Sequence, residues 1–248
     1  MDKINYIKMR LTDKICALLS KTVLRDKGIS YVAMFHKITP DEVVAQEPFA
    51  CSQRQFESYL TGLKRAGMNV ISVDDLLTHP VDEVLKKKVV LTFDDGFADI
   101  DSFVAPLLTR HGVPFTVFIT TSLLNTEGYL TTEQLKVLAQ NPLCTIGMHA
   151  HRHLQFRSSS KEELLADFCR CKEELCRLTG KEPLYYAFPY GSVYACSWQN
   201  SRVVRGAGVK AVFMTLPLKL TAGLLRYRYY LPRIDVPTLL KQGKMRYD

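Results

Sequence analysis

The chain alternates short apolar runs with longer stretches of three- and four-residue hydrophobic spacing. The apolar runs are Tyr31–Phe35, Asn69–Val73, Val89–Phe93, Phe115–Thr120, Cys144–Met148, Tyr185–Phe188 and Val209–Met214. Most are continuously apolar, which predicts strands buried on both faces of a parallel sheet. Helical spacing predicts helices over 53–66, 102–111, 132–140, 160–179 and 198–206. Gly67, Gly112 and Gly180 stand where helix stops belong. About seven strands alternating with helices in 248 residues predict an α/β fold, a deformed (β/α) barrel of about seven parallel strands. In such a barrel the active site lies at the C-terminal strand ends.

Ahead of this pattern, Lys3 to Arg25 places Ile4, Ile7, Leu11, Ile15 and Leu18 on one helical face, with Lys and Arg mostly elsewhere. The expected organisation is therefore an amphipathic basic helix in 1–28 followed by one domain over 29–248. The helix either packs its stripe on the domain or makes peripheral contact with an anionic membrane. Its longest clean apolar run, Ile15 to Leu19, is too short for a bilayer span or for the core of a cleavable signal.

Charge sharpens this division. Residues 1–30 hold seven Lys and Arg against three Asp and Glu, and residues 219–248 hold seven against two, so the net charge of +8 sits at the two ends. The near-neutral middle argues against a nucleic-acid groove. Seven Cys are too few for a disulfide scaffold and cannot all pair, which points to reduced thiols and a cytoplasmic setting, at most peripheral at the inner face of the membrane.

The residues that follow the apolar runs carry the chemistry. His36 follows Tyr31–Phe35; Asp94, Asp95 and Gly96 follow Val89–Phe93; His149 and His153 follow Cys144–Met148; and Pro189-Tyr190-Gly191 follows Tyr185–Phe188. Two adjacent carboxylates at a strand end repel unless a cation or a proton-transfer role holds them, and neighbouring residues point apart, so one can bind metal while the other acts as base. Two His four apart converge on one ion if the segment makes a helical turn. His151, two residues from each, then turns away to a supporting or surface position. An Asp and two His leave ion positions open for water and substrate, as a catalytic site requires.

Thr92-Phe93-Asp94-Asp95-Gly96, His149-x-x-x-His153 and Phe188-Pro189-Tyr190-Gly191, in this order, resemble the polysaccharide deacetylase family, or NodB-homology domain, over about residues 29–237. Ala187 and the early Phe35-His36 are similar to the branch of the poly-N-acetylglucosamine deacetylases. The resemblance implies that Asp94 is the general base, that Asp95, His149 and His153 hold one divalent metal ion (Zn²⁺ foremost), and that the Tyr190 N–H is an oxyanion donor. No His follows His153, so the resemblance places the general acid on His36; Arg233 would stand in for the missing Arg partner of Asp94. The implied activity is removal of N-acetyl groups from an amino sugar in a glycan or glycan precursor. Alternatives are deacylation of another amide, such as a lipid-linked or small-molecule amino sugar, and a noncatalytic glycan-binding module, which would have no use for both Asp94 and His36.

The remaining candidates have plainer readings. His79 and His111 are expected at the surface or at helix ends. Cys169, Cys171 and Cys176 belong to the 160–179 helix, where Phe168, Cys171, Leu175 and Leu178 form an apolar face. Trp198 is equally suited to packing or to stacking on a sugar.

Overall fold

The structure is a computed structural model and describes residues 29–44, 49–196 and 201–241. The expected helix over Lys3–Arg25, the 1–28 segment with its membrane contact, and Trp198 lie outside the described residues. No helix among the described residues is long and apolar enough to cross a membrane.

The described residues form ten strands: β1 (Tyr31–Phe35), β2 (Lys37–Thr39), β3 (Ala50–Ser52), β4 (Asn69–Val70), β5 (Lys88–Phe93), β6 (Phe115–Ile119), β7 (Cys144–Met148), β8 (Tyr185–Ala187), β9 (Ala211–Thr215) and β10 (Tyr229–Asp235). Seven of them close a parallel barrel in the order β1-β10-β9-β8-β7-β6-β5, with β5 pairing back onto β1 from Tyr31↔Val89 to Phe35↔Phe93. The deformed (β/α) barrel with about seven parallel strands is thus the observed fold. Strand β4 pairs only with the start of β5, and β2 and β3 form a separate parallel pair beyond the end of β1.

Continuous apolar strands follow from burial on both faces. Val89, Leu91 and Phe93 pack outward with Phe56, Tyr59 and Leu108 of the surrounding helices, while Val32, Val90, Phe118, Phe213 and Leu231 belong to a second cluster that fills the barrel. The alternation carries Thr92 and then Asp94 to the interior side, where Arg233 reaches them.

The helices begin where their caps dictate. Ser52 with Gln55, Thr131 with Gln134 and Ser160 with Glu163 form reciprocal capping boxes for Gln53–Arg65, Thr132–Leu138 and Lys161–Thr179, and Gly180 (φ 70°) closes the last of these. Ser72 and Asp75 form another box, which starts a helix at Val73–Thr78 and cuts the expected strand 69–73 back to Asn69–Val70. The expected helix 102–111 begins as a π-turn over Ile100–Val104 and becomes α-helical only at Ala105–Arg110, where Pro106 has no N–H to donate. Strands β2, β3 and β10 and the helices Val193–Cys196, Ala222–Tyr227 and Val236–Lys241 were not expected.

His79 ends the helix Val73–Thr78 with Nδ1 donating to the Asp75 carbonyl at 2.9 Å, and His111 is exposed after Arg110. Phe168, Cys171, Leu175 and Leu178 are all buried on one face of Lys161–Thr179, and the six described cysteines are free thiols.

Candidate active site

Four strand ends converge at the C-terminal mouth of the barrel. The Asp94 N–H donates to the Phe35 carbonyl at 2.9 Å, so the end of β5 is tied to the end of β1 and Asp94 is set beside His36. The His149 N–H donates to the Ile119 carbonyl at 2.8 Å and ties the end of β7 to that of β6. Gly191 accepts the Thr215 N–H at 2.8 Å, which ties the Pro-Tyr-Gly turn to β9. Gly191 adopts φ 53°, and a Cβ there would lie 2.9 Å from the Thr215 Cβ, so the close approach needs glycine.

Asp94 and Arg233 are both buried, and the guanidinium donates Nη1 to Oδ1 at 2.6 Å and Nη2 to Oδ2 at 2.7 Å. Burial by itself would push the Asp94 carboxyl up. The Arg233 guanidinium, with His149 beside it, more than offsets this and holds it well below the usual carboxylate range. Asp94 is therefore an anion at neutral pH.

Asp95, His149 and His153 present one ligand atom each, all within 4.8 Å of one another. Asp95 Oδ1 lies 3.6 Å from His149 Nε2 and 3.5 Å from His153 Nε2. His149 Nδ1 donates to the Ala187 carbonyl at 2.8 Å, which fixes the ring with Nε2 facing Asp95. Burial, and then His149, push the His153 imidazole down to about 4, so His153 is neutral at pH 7. One carboxylate and two imidazoles are a fitting donor set for a divalent cation. Among the described residues this is the one group of three or more His, Cys, Asp or Glu arranged in this way.

The two imidazoles do not converge through the helical turn that their spacing suggested. Residues 149–153 form a bent loop in which Ala150 (φ 69°) and His153 (φ 55°) are left-handed, as are Asp95 (φ 72°) and Tyr190 (φ 60°). Four such non-glycine residues, at a cost of order 1–3 kcal/mol each, concentrate backbone strain at this mouth. His151 points away, with Nδ1 hydrogen-bonded to Thr121 Oγ1 at 2.8 Å and 3.5 Å from Glu174 Oε2.

The remaining expected residues also border this centre. Tyr190 sets its ring 4.7 Å from that of His153, and among the described residues its backbone N–H has no acceptor. His36 is half-buried beside Asp94, and its buried Nδ1 has no hydrogen-bond partner among the described residues.

Two polar residues at the site escaped sequence reasoning. Thr120 Oγ1 lies 3.4 Å from Asp95 Oδ1 and 3.2 Å from the His149 carbonyl. Asp167 accepts the backbone N–H groups of His151 and Arg152. Its signal was a carboxylate on the same helical face as Leu164, Phe168 and Cys171.

The profile of the family described as polysaccharide deacetylase matches residues 82–212, more than half of the chain. The chain belongs to the polysaccharide deacetylase family. Membership classes it as a hydrolase of the deacetylase type. It is 24% identical over 200 residues to the poly-β-1,6-N-acetyl-D-glucosamine N-deacetylase of Staphylococcus aureus, covering 75% of this chain and 67% of that one. With YxkH of Bacillus subtilis, whose name assigns it to the same family, it shares 22% identity over 64% of this chain and only 56% of the relative's length. Among solved structures, IcaB from Ammonifex degensii superposes with a TM-score of 0.73 at 20% identity, over 88% of this chain and 96% of that one. A de-N-acetylase from Aggregatibacter actinomycetemcomitans gives 0.70 at 21% identity, over 87% and 99%. These structures share the deacetylase barrel.

Proposed function

We propose that this deacetylase is a metal-dependent hydrolase that removes N-acetyl groups from an N-acetylated amino sugar of a glycan or glycan precursor. The observation that carries the reading is the pairing of the Asp95–His149–His153 ligand set with a second, separately held carboxylate, Asp94, at 3.8 Å from His149 Nε2. The names of the Staphylococcus and Aggregatibacter relatives, N-deacetylases by description, support an amide as the bond that is cut.

Asp95, His149 and His153 would hold the cation, which when bound supplies Lewis-acid polarisation of the acetamide carbonyl and makes water a stronger acid. Asp94 takes a proton from the attacking water as its oxygen bonds to the carbonyl carbon. Arg233 keeps that carboxylate ionised and oriented. The Tyr190 N–H donates to the carbonyl oxygen as negative charge grows there. His36 gives a proton to the amide nitrogen as the carbon–nitrogen bond breaks, leaving acetate and a free amine on the sugar.

Acetate release from a panel of N-acetylated oligosaccharides and lipid-linked amino sugars, with and without chelator, tests this. Activity should vanish on chelation and return with Zn²⁺ or another divalent ion. His149→Ala and His153→Ala should lose both metal and activity, because two ligands hold the ion poorly. Acetate release that survives chelation and both substitutions would overturn the proposal.

A further inference from the structure

The loop that carries both histidines is secured by one buried carboxylate. Beyond β7 the left-handed Ala150 turns the chain, and the next two N–H groups point toward the helix Lys161–Thr179. Both donate to Asp167: His151 N to Oδ2 at 2.8 Å, and Arg152 N to Oδ1 at 3.0 Å and Oδ2 at 3.3 Å. Arg152 Nε adds a third donor to Oδ1 at 3.1 Å. On the opposite side the loop is bonded to the turn after β6, through Thr121 N to the Ala150 carbonyl (3.3 Å) and Ser122 N to the His151 carbonyl (3.0 Å).

Asp167 is only 4% exposed, on a helical face otherwise given to Leu164, Phe168 and Cys171. A buried carboxylate costs several kcal/mol unless its oxygens are filled by good donors. An apolar residue would serve helix packing better. The charge is spent instead on the two amides that lie between His149 and His153, in a loop whose second ligand sits at φ 55°.

We infer that Asp167 is a positioning residue: its carboxylate holds the His151–Arg152 peptide units so that His153 faces Asp95 and His149, and it thereby sets the affinity of the site for its cation. The inference rests on the metal-dependent reading above. Outer partners of metal ligands typically contribute 10- to 100-fold in affinity. Arg152, more than half exposed, closes the far side of the carboxylate, whereas the two backbone donors carry the geometry.

The test is Zn²⁺ affinity, measured by competition with a chromophoric chelator, alongside the Tm of the metal-free protein. Wild type should bind one Zn²⁺ per chain; a wild type that binds none overturns the metal reading itself. Asp167→Ala should bind Zn²⁺ 10- to 100-fold more weakly. Asp167→Asn, which keeps the shape and one acceptor oxygen, should fall between the two and serves alone if the Ala variant does not fold. Leu164→Ala, on the same buried face, separates positioning from packing: it should lower Tm while binding Zn²⁺ within twofold of wild type. Zn²⁺ affinity within twofold of wild type in the folded Asp167 variants, or affinity that simply follows Tm across all three, overturns the inference while leaving the metal site in place.

Discussion

Arg233 and Asp94 form a two-pronged pair, Nη1 to Oδ1 and Nη2 to Oδ2, sealed inside the barrel with Phe118 beneath the guanidinium at 5.4 Å. Breaking such a pair by removing one partner typically costs about 3–5 kcal/mol, because the other charge is left buried. Arg233→Met should therefore destabilise the metal-free protein by about that much at pH 7. The native pairing depresses the Asp94 pKa, so its stabilisation is present above the ordinary carboxylate value of about 3.9 and is lost as pH falls toward the lower folded value. In the variant, burial without Arg233 raises that pKa, and the carboxyl protonates more readily. Urea denaturation at pH 7 and pH 4 should show the deficit shrinking at the lower pH. An equal deficit at both would assign the loss to packing against Phe118 rather than to charge.

Strands β1 and β5 to β9 were legible because burial on both faces leaves uninterrupted apolar runs, and the residues just beyond those runs are the ones that meet at the mouth. Strand β10 was not, because Tyr229–Asp235 contains Pro232 and Arg233 and has Tyr230 at φ 78° where the pairing with β9 slips. A charged residue in a barrel strand is tolerable only with its partner present, and Asp94 lies 139 residues away in sequence. The short β4 had a readable cause in Ser72-Val73-Asp74-Asp75, a capping signature that the apolar run obscured. Asp167 was harder to read for a different reason: two of its three donors are backbone amides, which leave no pattern of residue types, so its one mark was its place on an apolar helical face.

In the proposed mechanism His36, apart from the three proposed metal ligands, supplies the proton for the departing amine. His36→Ala should fold, retain the cation and lose kcat by at least about 100-fold, the contribution typical of a positioned acid, with a smaller change in KM. Metal content by elemental analysis together with steady-state acetate release checks this. Near-normal kcat would place the proton source elsewhere.

Phe49 stands at the mouth with its side chain 64% exposed and its ring 5.8 Å from that of His36. It is left-handed at φ 62°, and its apolar ring stands in solvent beside the proposed acid, His36. A pyranose face stacked there would gain about 1 kcal/mol, in the range of aromatic pair energies. Phe49→Ala should accordingly raise KM for an oligosaccharide about fivefold while leaving metal content and Tm unchanged. Identical KM for the two proteins would remove Phe49 from the substrate path.

Asp99 accepts the Ile38 N–H with Oδ2 at 2.8 Å, while its Oδ1 is buried without a partner among the described residues. Burial pushes its carboxyl up to about 6, and the Ile38 hydrogen bond offsets only part of that. An acid whose folded pKa lies above its unfolded value of about 3.9 binds more protons when folded, so its contribution to stability falls as pH rises between the two values and stays low above them. The difference amounts to order 2–3 kcal/mol. Asp99→Asn keeps an oxygen for the Ile38 N–H and carries no charge at any pH. Its stability should match wild type near pH 4, exceed it progressively up to about pH 6 and hold a constant lead above pH 7, as read by urea denaturation across that range. A lead that does not change with pH would mean that Asp99 does not titrate in this window.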